Sequence, residues 1–102
     1  CRRFEEELRT HYMRERQVAF YAGRLCVTPK YLSAVVRQQT GRTAQACIET
    51  YVVTESKALL LSTDLSVQQI ADRLNFPSQS VFGKYFKRAT GLSPRAFRNR
   101  MS

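Results

Sequence analysis

The chain repeats itself. Val18-x-x-x-Ala22-x-Arg24-Leu25 returns 49 positions later as Val67-x-x-x-Ala71-x-Arg73-Leu74, and Thr40-Gly41 returns 50 positions later as Thr90-Gly91. The second copy has therefore gained one residue, near Pro77-Ser78, where a turn absorbs it. Beyond that step Leu32, Val36 and Arg37 match Phe82, Phe86 and Lys87. With 102 residues the chain has room for one small domain, so two copies of one unit must make up most of it.

Each copy reads as two short helices joined by a tight turn. Val18, Tyr21, Ala22 and Leu25 stand at i, i+3, i+4 and i+7, as do Val67, Ile70, Ala71 and Leu74, which lays one apolar stripe along a helix. Ser66 and Gln69 form a capping box before the second stripe. Thr28-Pro29 supplies an N-cap and a proline at the first helical position, and Ser78 takes the capping role after Pro77. The second helices are expected to bury Leu32, Val35 and Val36, and Phe82, Tyr85, Phe86 and Ala89. Gly41 and Gly91 follow them, where a left-handed C-cap belongs.

The remaining segments are helical as well. Phe4, Leu8 and Tyr12 mark a short amphipathic helix over residues 2–14. Residues 44–62 hold neither Gly nor Pro, and Ile48, Tyr51, Val52, Leu59 and Leu60 give this stretch two apolar faces. Ser93-Pro94 repeats the cap-and-proline start for a last helix through Phe97. Nothing alternates as a strand does, so the fold class is all-α, with about seven helices. We expect a first helix–turn–helix unit over 16–42, a linker helix over 44–62, and a second unit with its C-terminal helix over 65–102.

Charge narrows the function. Lys and Arg number 17 against 8 Asp and Glu, a formal net charge of +9. Residues 16–42 carry Arg16, Arg24, Lys30, Arg37 and Arg42 with no acid, and residues 84–102 carry Lys84, Lys87, Arg88, Arg95, Arg98 and Arg100 with no acid. Two separate basic blocks suit contacts to a polyanion. No apolar run approaches the roughly 18 residues of a membrane span. Cys1, Cys26 and Cys47 are dispersed, which argues against a disulfide scaffold or zinc site and for a reducing compartment. Cys26 and Cys47 read as small core-filling groups, and His11 as a surface or packing residue. No nucleophile, base and ligand set converges, so neither an enzyme nor a cofactor is expected.

A tight unit in which small Ala22 or Ala71 lets two helices cross closely, plugged at the turn by Val27 or Phe76, is a helix–turn–helix. In that motif the second helix enters the DNA major groove. Opposite the buried stripes lie Lys30, Ser33, Ala34, Arg37 and Gln38 in the first copy. In the second lie Ser80, Gly83, Lys84, Lys87 and Arg88, with Gln79 one step before. Arg37, Gln38, Lys87 and Arg88 are candidates for phosphate, although Lys87 and Arg88 suit bases as well. Gly83, mid-helix, allows either close approach to DNA or packing against a neighbouring helix. The 19 residues of the linker helix would span about 28 Å, near the ~34–36 Å between successive major-groove faces. Because the two faces differ, an asymmetric operator is expected. A helical module binding RNA polymerase or another acidic partner would share the helices and the charge.

The chain resembles the DNA-binding domain of the AraC/XylS family of bacterial transcription regulators from about Val18 to Phe97. The densest stretch is Leu65-Ser66-Val67-x-x-Ile70-Ala71-x-x-Leu74-x-Phe76, then Ser80-x-Phe82-x-x-x-Phe86-Lys87-x-x-Thr90-Gly91-x-Ser93-Pro94-x-x-Phe97-Arg98. The resemblance implies that Lys30, Ser33 and Ala34, and Gln79, Ser80, Gly83 and Lys84, face bases. It also implies regulation of bacterial transcription in the cytoplasm at the nucleoid, with double-stranded DNA and RNA polymerase as partners. A separate N-terminal effector or dimerisation domain, absent from these residues, would complete the regulator. Ala34 stands where members often carry a larger polar or basic side chain, Val36 replaces the usual Phe, and Val52 and Ser56 stand where Arg and Ala are common.

Overall fold

A computed structural model describes residues 2–101. Its helices are α1 (Arg2–His11), α2 (Val18–Arg24), α3 (Pro29–Thr40), α4 (Ala44–Ser62), α5 (Val67–Arg73), α6 (Gln79–Thr90) and α7 (Pro94–Met101). The expected all-α architecture holds, with no strand among the described residues. No helix among them is long and apolar enough to cross a membrane. Helix α1 stops at His11, short of the expected 14, and α7 runs past Phe97. The chain divides into two compact units, Cys1–Tyr51 and Val52–Ser102, so α4 gives residues 44–51 to the first and 52–62 to the second. Cys1 lies outside the described residues.

The helix boundaries follow from side chains that satisfy otherwise unpaired backbone groups. Thr28 Oγ1 accepts from the Tyr31 amide at 3.1 Å, and Ser78 Oγ from the Val81 amide at 3.2 Å. Ser66 and Gln69 complete the capping box, at 3.1 and 2.8 Å. Gly41 and Gly91 end α3 and α6 at φ 75° and 84°, a left-handed conformation that costs glycine little. The repeated threonines explain themselves here. Thr40 Oγ1 lies 2.7 Å from the Val36 carbonyl and accepts from the Arg42 amide at 3.1 Å; Thr90 does the same with Phe86 and Leu92, at 2.9 and 3.2 Å. Thr43 and Ser93 then cap α4 and α7 through the amides of Ala46 and Ala96, so the repeat runs on into the closing helix of each unit.

The turn inside each unit is a Schellman ending. The Val27 amide donates to the Ala22 carbonyl at 3.0 Å and the Cys26 amide to Gly23 at 3.2 Å. The Phe76 and Asn75 amides do the same to Ala71 and Asp72, at 2.9 and 3.1 Å. The residue between is left-handed in both copies, Cys26 at φ 59° and Asn75 at φ 60°. This overturns the reading of Cys26 as core filling: its thiol is exposed, because a left-handed helix end turns that side chain outward, while Cys47 is half-buried. The extra residue of the second copy is Pro77, between the Phe76 plug and the Ser78 cap.

The two cores reach similar closure by different means. In unit 1 Tyr21, Leu32 and Val36 are buried with Phe4, Leu8, Ala44 and Ile48. Leu32 and Val36 hold the places of Phe82 and Phe86, but Tyr21 holds the place of Ile70, so part of the volume lost on the second helix returns on the first. The Tyr21 hydroxyl donates to the Glu15 carbonyl at 2.7 Å, and its ring meets Phe4 edge-on at 5.7 Å. Unit 2 is aromatic: Phe82 packs with Phe76 at 5.1 Å, and Phe86 with Phe97 at 5.5 Å. Val52 and Ser56, the departures in the linker helix, are both buried there, with the Ser56 hydroxyl donating to the Val52 carbonyl. Ala89 is exposed rather than buried, since it falls in the last turn of α6.

Charged side chains tie the helices. Glu7 of α1 binds Arg24 of α2 at 2.8 Å and lies 3.4 Å from His11, whose ring packs edge-on against Phe20. The hydrogen bond from Arg24 holds the Glu7 carboxyl below its ordinary value. Arg98 Nε donates to the Leu60 carbonyl at 2.9 Å and Nη2 to Thr63 at 3.2 Å, closing the end of α4.

Two outcomes follow. A left-handed non-glycine residue costs roughly 1 kcal/mol unless it is Asn or Asp, so Cys26→Asn should raise stability by about that much and Tm by a few degrees. An unchanged or lowered Tm would contradict the strain. Because the folded Glu7 value is lowered, its stabilisation is complete above the ordinary value of about 4.5 and is lost as pH falls below it through the folded value. Acid titration of Glu7→Gln should therefore show a shallower loss of unit 1 stability below about pH 4.5; the wild-type slope in the variant would argue otherwise.

Candidate nucleic-acid interface

The caps and turns described above fix which side of α3 and α6 remains outside. Leu32 and Val36 bury one side of α3, and Phe82 and Phe86 bury one side of α6. On α3, Lys30, Ala34, Arg37 and Gln38 are exposed and Ser33 is half-buried. On α6, Gln79, Ser80, Lys84, Lys87 and Arg88 are exposed and Gly83 is half-buried. Spacings of three, four and seven residues bring each set onto one face of its helix. Every expected site residue is thus on the outer side of its own unit, and the two sets share a register displaced by 50 positions.

The faces are electrostatically one-signed. Neither α3 nor α6 contains an acidic residue. Counterparts differ in size and charge: Lys30 matches Ser80, Ser33 matches Gly83, Ala34 matches Lys84, and Gln38 matches Arg88. Unit 2 therefore presents three cations where unit 1 presents two. The Arg88 guanidinium also lies 5.7 Å over the Tyr85 ring, within cation–π range.

Several basic residues counted in the charged blocks are committed elsewhere. Arg24 is held by Glu7, Arg42 donates to the Ala46 carbonyl and to Thr50, and Arg98 caps α4. Block charge overstated these residues because a sequence does not show which long side chains fold back onto carbonyls. Sequence reasoning also passed over Val81, which is 45% exposed beside the polar face of α6. Its signal was available, since it occupies the position of the exposed Tyr31.

Gly83 separates two explanations. A methyl group added there would meet only the Cδ of Pro94, at 4.0 Å, which is ordinary contact. Packing within the unit leaves space for alanine, so crowding by α7 does not account for the glycine.

Comparison with known proteins agrees with this architecture. A sequence profile described as a helix-turn-helix domain matches residues 21–100. The arabinose operon regulatory protein of Escherichia coli K12 is 32% identical over 81 residues, covering 79% of this chain and 28% of that protein. The chain thus spans under a third of the length of the curated relatives it matches first. The C-terminal domain of AraT, a response regulator from Geobacillus stearothermophilus, superposes with a TM-score of 0.89 at 30% identity, covering 97% of this chain and 83% of that one. The DNA-binding domain of AdpA, solved in complex with a target DNA, gives 0.82 at 26% identity, covering 95% and 87%.

Glycine inside a helix costs about 1 kcal/mol relative to alanine. Gly83→Ala should accordingly raise stability by about that amount in thermal unfolding. A drop would mean that its neighbours need the space after all.

Proposed function

This chain belongs to the AraC-type helix-turn-helix family, and from that premise we propose that it binds double-stranded DNA sequence-specifically to regulate bacterial transcription. Helices α3 and α6 act as the two recognition helices, entering successive major grooves of one operator. Lys30, Ser33, Ala34, Gln79, Ser80, Gly83 and Lys84 face bases, and Arg37, Gln38, Lys87 and Arg88 face phosphates. One observation carries the reading: two acid-free outer faces stand in the same register on helices held by the same turn and caps. The relatives named as operon regulators, and the AdpA domain bound to its target DNA, support it.

The chemistry of each residue sets its role. Lys84 and Ser80 can donate to the acceptors of guanine and adenine edges, and Gln79 can both donate and accept. Lys87 and Arg88, two turns into the helix, reach the backbone and fix register without reading sequence. Gly83 lets the helix backbone approach the groove floor. Such a regulator works in the cytoplasm at the nucleoid, where RNA polymerase is its further protein partner. As the two faces differ, the operator is asymmetric.

Titration of duplexes differing by single base pairs, at fixed salt, tests these roles. Lys84→Ala should cost about 1–3 kcal/mol and relax specificity at one base-pair position. Lys87→Ala should weaken every sequence alike and lower the salt slope by about one. Gly83→Ala should weaken binding although it strengthens the fold. Equal affinity of the wild-type chain for every duplex would overturn the proposal.

A further inference from the structure

Val81 keeps nearly half of its surface outside the core. It is the third residue of α6 and is 45% exposed, while Phe82 beside it is buried. Tyr31, the third residue of α3, is 59% exposed. Two of the three large apolar side chains exposed among the described residues therefore occupy one repeat position. Both are held at the first turn of their helices, since the Tyr31 and Val81 amides bind the capping hydroxyls of Thr28 and Ser78.

Local energetics do not call for valine there. A β-branched residue is a poorer helix former than alanine, and the exposed part of the Val81 side chain contributes nothing to folding. Its spacing is informative. Val81 precedes Lys84 by three residues and Arg88 by seven, so the three line one edge of the outer face. The N-terminal residues of a recognition helix are those that reach base edges. On the major-groove edge of the four bases, the thymine 5-methyl group is the feature read by apolar contact.

We propose that Val81 is a specificity-determining residue that recognises a thymine by packing against its 5-methyl group, beside the contact made by Lys84. This rests on the DNA-binding reading above. Side-chain hydrogen bonding then selects one base pair while Val81 selects its neighbour, which extends the reading face of unit 2 along the groove.

The test uses duplexes recovered by the wild-type chain from a random-sequence pool, with each thymine replaced in turn by deoxyuridine, which removes only the methyl group. At one position the replacement should weaken the wild-type chain about fourfold, the effect of one buried methyl-sized group. The same replacement should leave Val81→Ala unchanged. Val81→Ala should still unfold cooperatively within a few degrees of the wild-type temperature, which separates the contact from loss of the fold. If Val81→Ala shows the wild-type losses at every thymine, or the wild-type chain shows none, Val81 does not read thymine and the DNA-binding proposal stands. Failure of the wild-type chain to enrich any duplex would overturn both.

Discussion

Each unit depends on one left-handed residue at the end of its first helix. That residue lets the next amide reach back to the carbonyl of Ala22 or Ala71, which reverses the chain within two positions. The reversal delivers the chain, past the apolar Val27 or Phe76, to a capping hydroxyl, Thr28 or Ser78. The start of the second helix is then determined, and with it the side that meets the core. An outer face free of carboxylates is the remainder. A different residue conformation at 26 or 75 would rotate α3 or α6 against the first helix of its own unit and redirect that unit's outer face.

The copies meet this constraint unequally. Asn75 adopts the left-handed conformation readily, as asparagine commonly does, whereas Cys26 does so against its own preference. Unit 1 also builds its core from Tyr21 and Val36 where unit 2 uses Ile70 and Phe86. Both units nonetheless keep the same hydrogen bonds through the turn, from the amides of Val27 and Cys26 in one and of Phe76 and Asn75 in the other. The Tyr21 hydroxyl would be a costly buried group on its own, and the Glu15 carbonyl satisfies it.

Much of this was legible in the amino-acid order. Capping residues, prolines at first helical positions and Thr-Gly endings act locally, so they mark α3, α4, α5 and α6 to within a residue or two. The reading faces followed from helical spacing and the absence of Asp and Glu. What escaped depended on distant partners or on an unfavourable conformation. Cysteine announces no left-handed turn, so the exposure of Cys26 could be found only from its hydrogen-bonded setting. Arg24, Arg42 and Arg98 looked like surface charge, yet each is drawn to a carboxylate or carbonyl that the fold brings near. Ala89 fell on the buried period of α6 but in its final turn, where it is exposed.

Duplication with divergence gives the proposed function its character. Two heads of one design carry unlike side chains, Ala34 against Lys84 and Ser33 against Gly83, so one chain would read two different short sequences. The more cationic face of unit 2 would contribute more of the salt-dependent affinity. Dimethyl sulfate protection of guanine N7 on a bound duplex reports directly on major-groove occupancy by this chain. Two protected patches of unlike sequence about 10 bp apart are expected, one lost with substitutions in α3 and the other with substitutions in α6. A single patch, or unprotected major grooves in a duplex that is nonetheless bound, would contradict reading by two recognition helices.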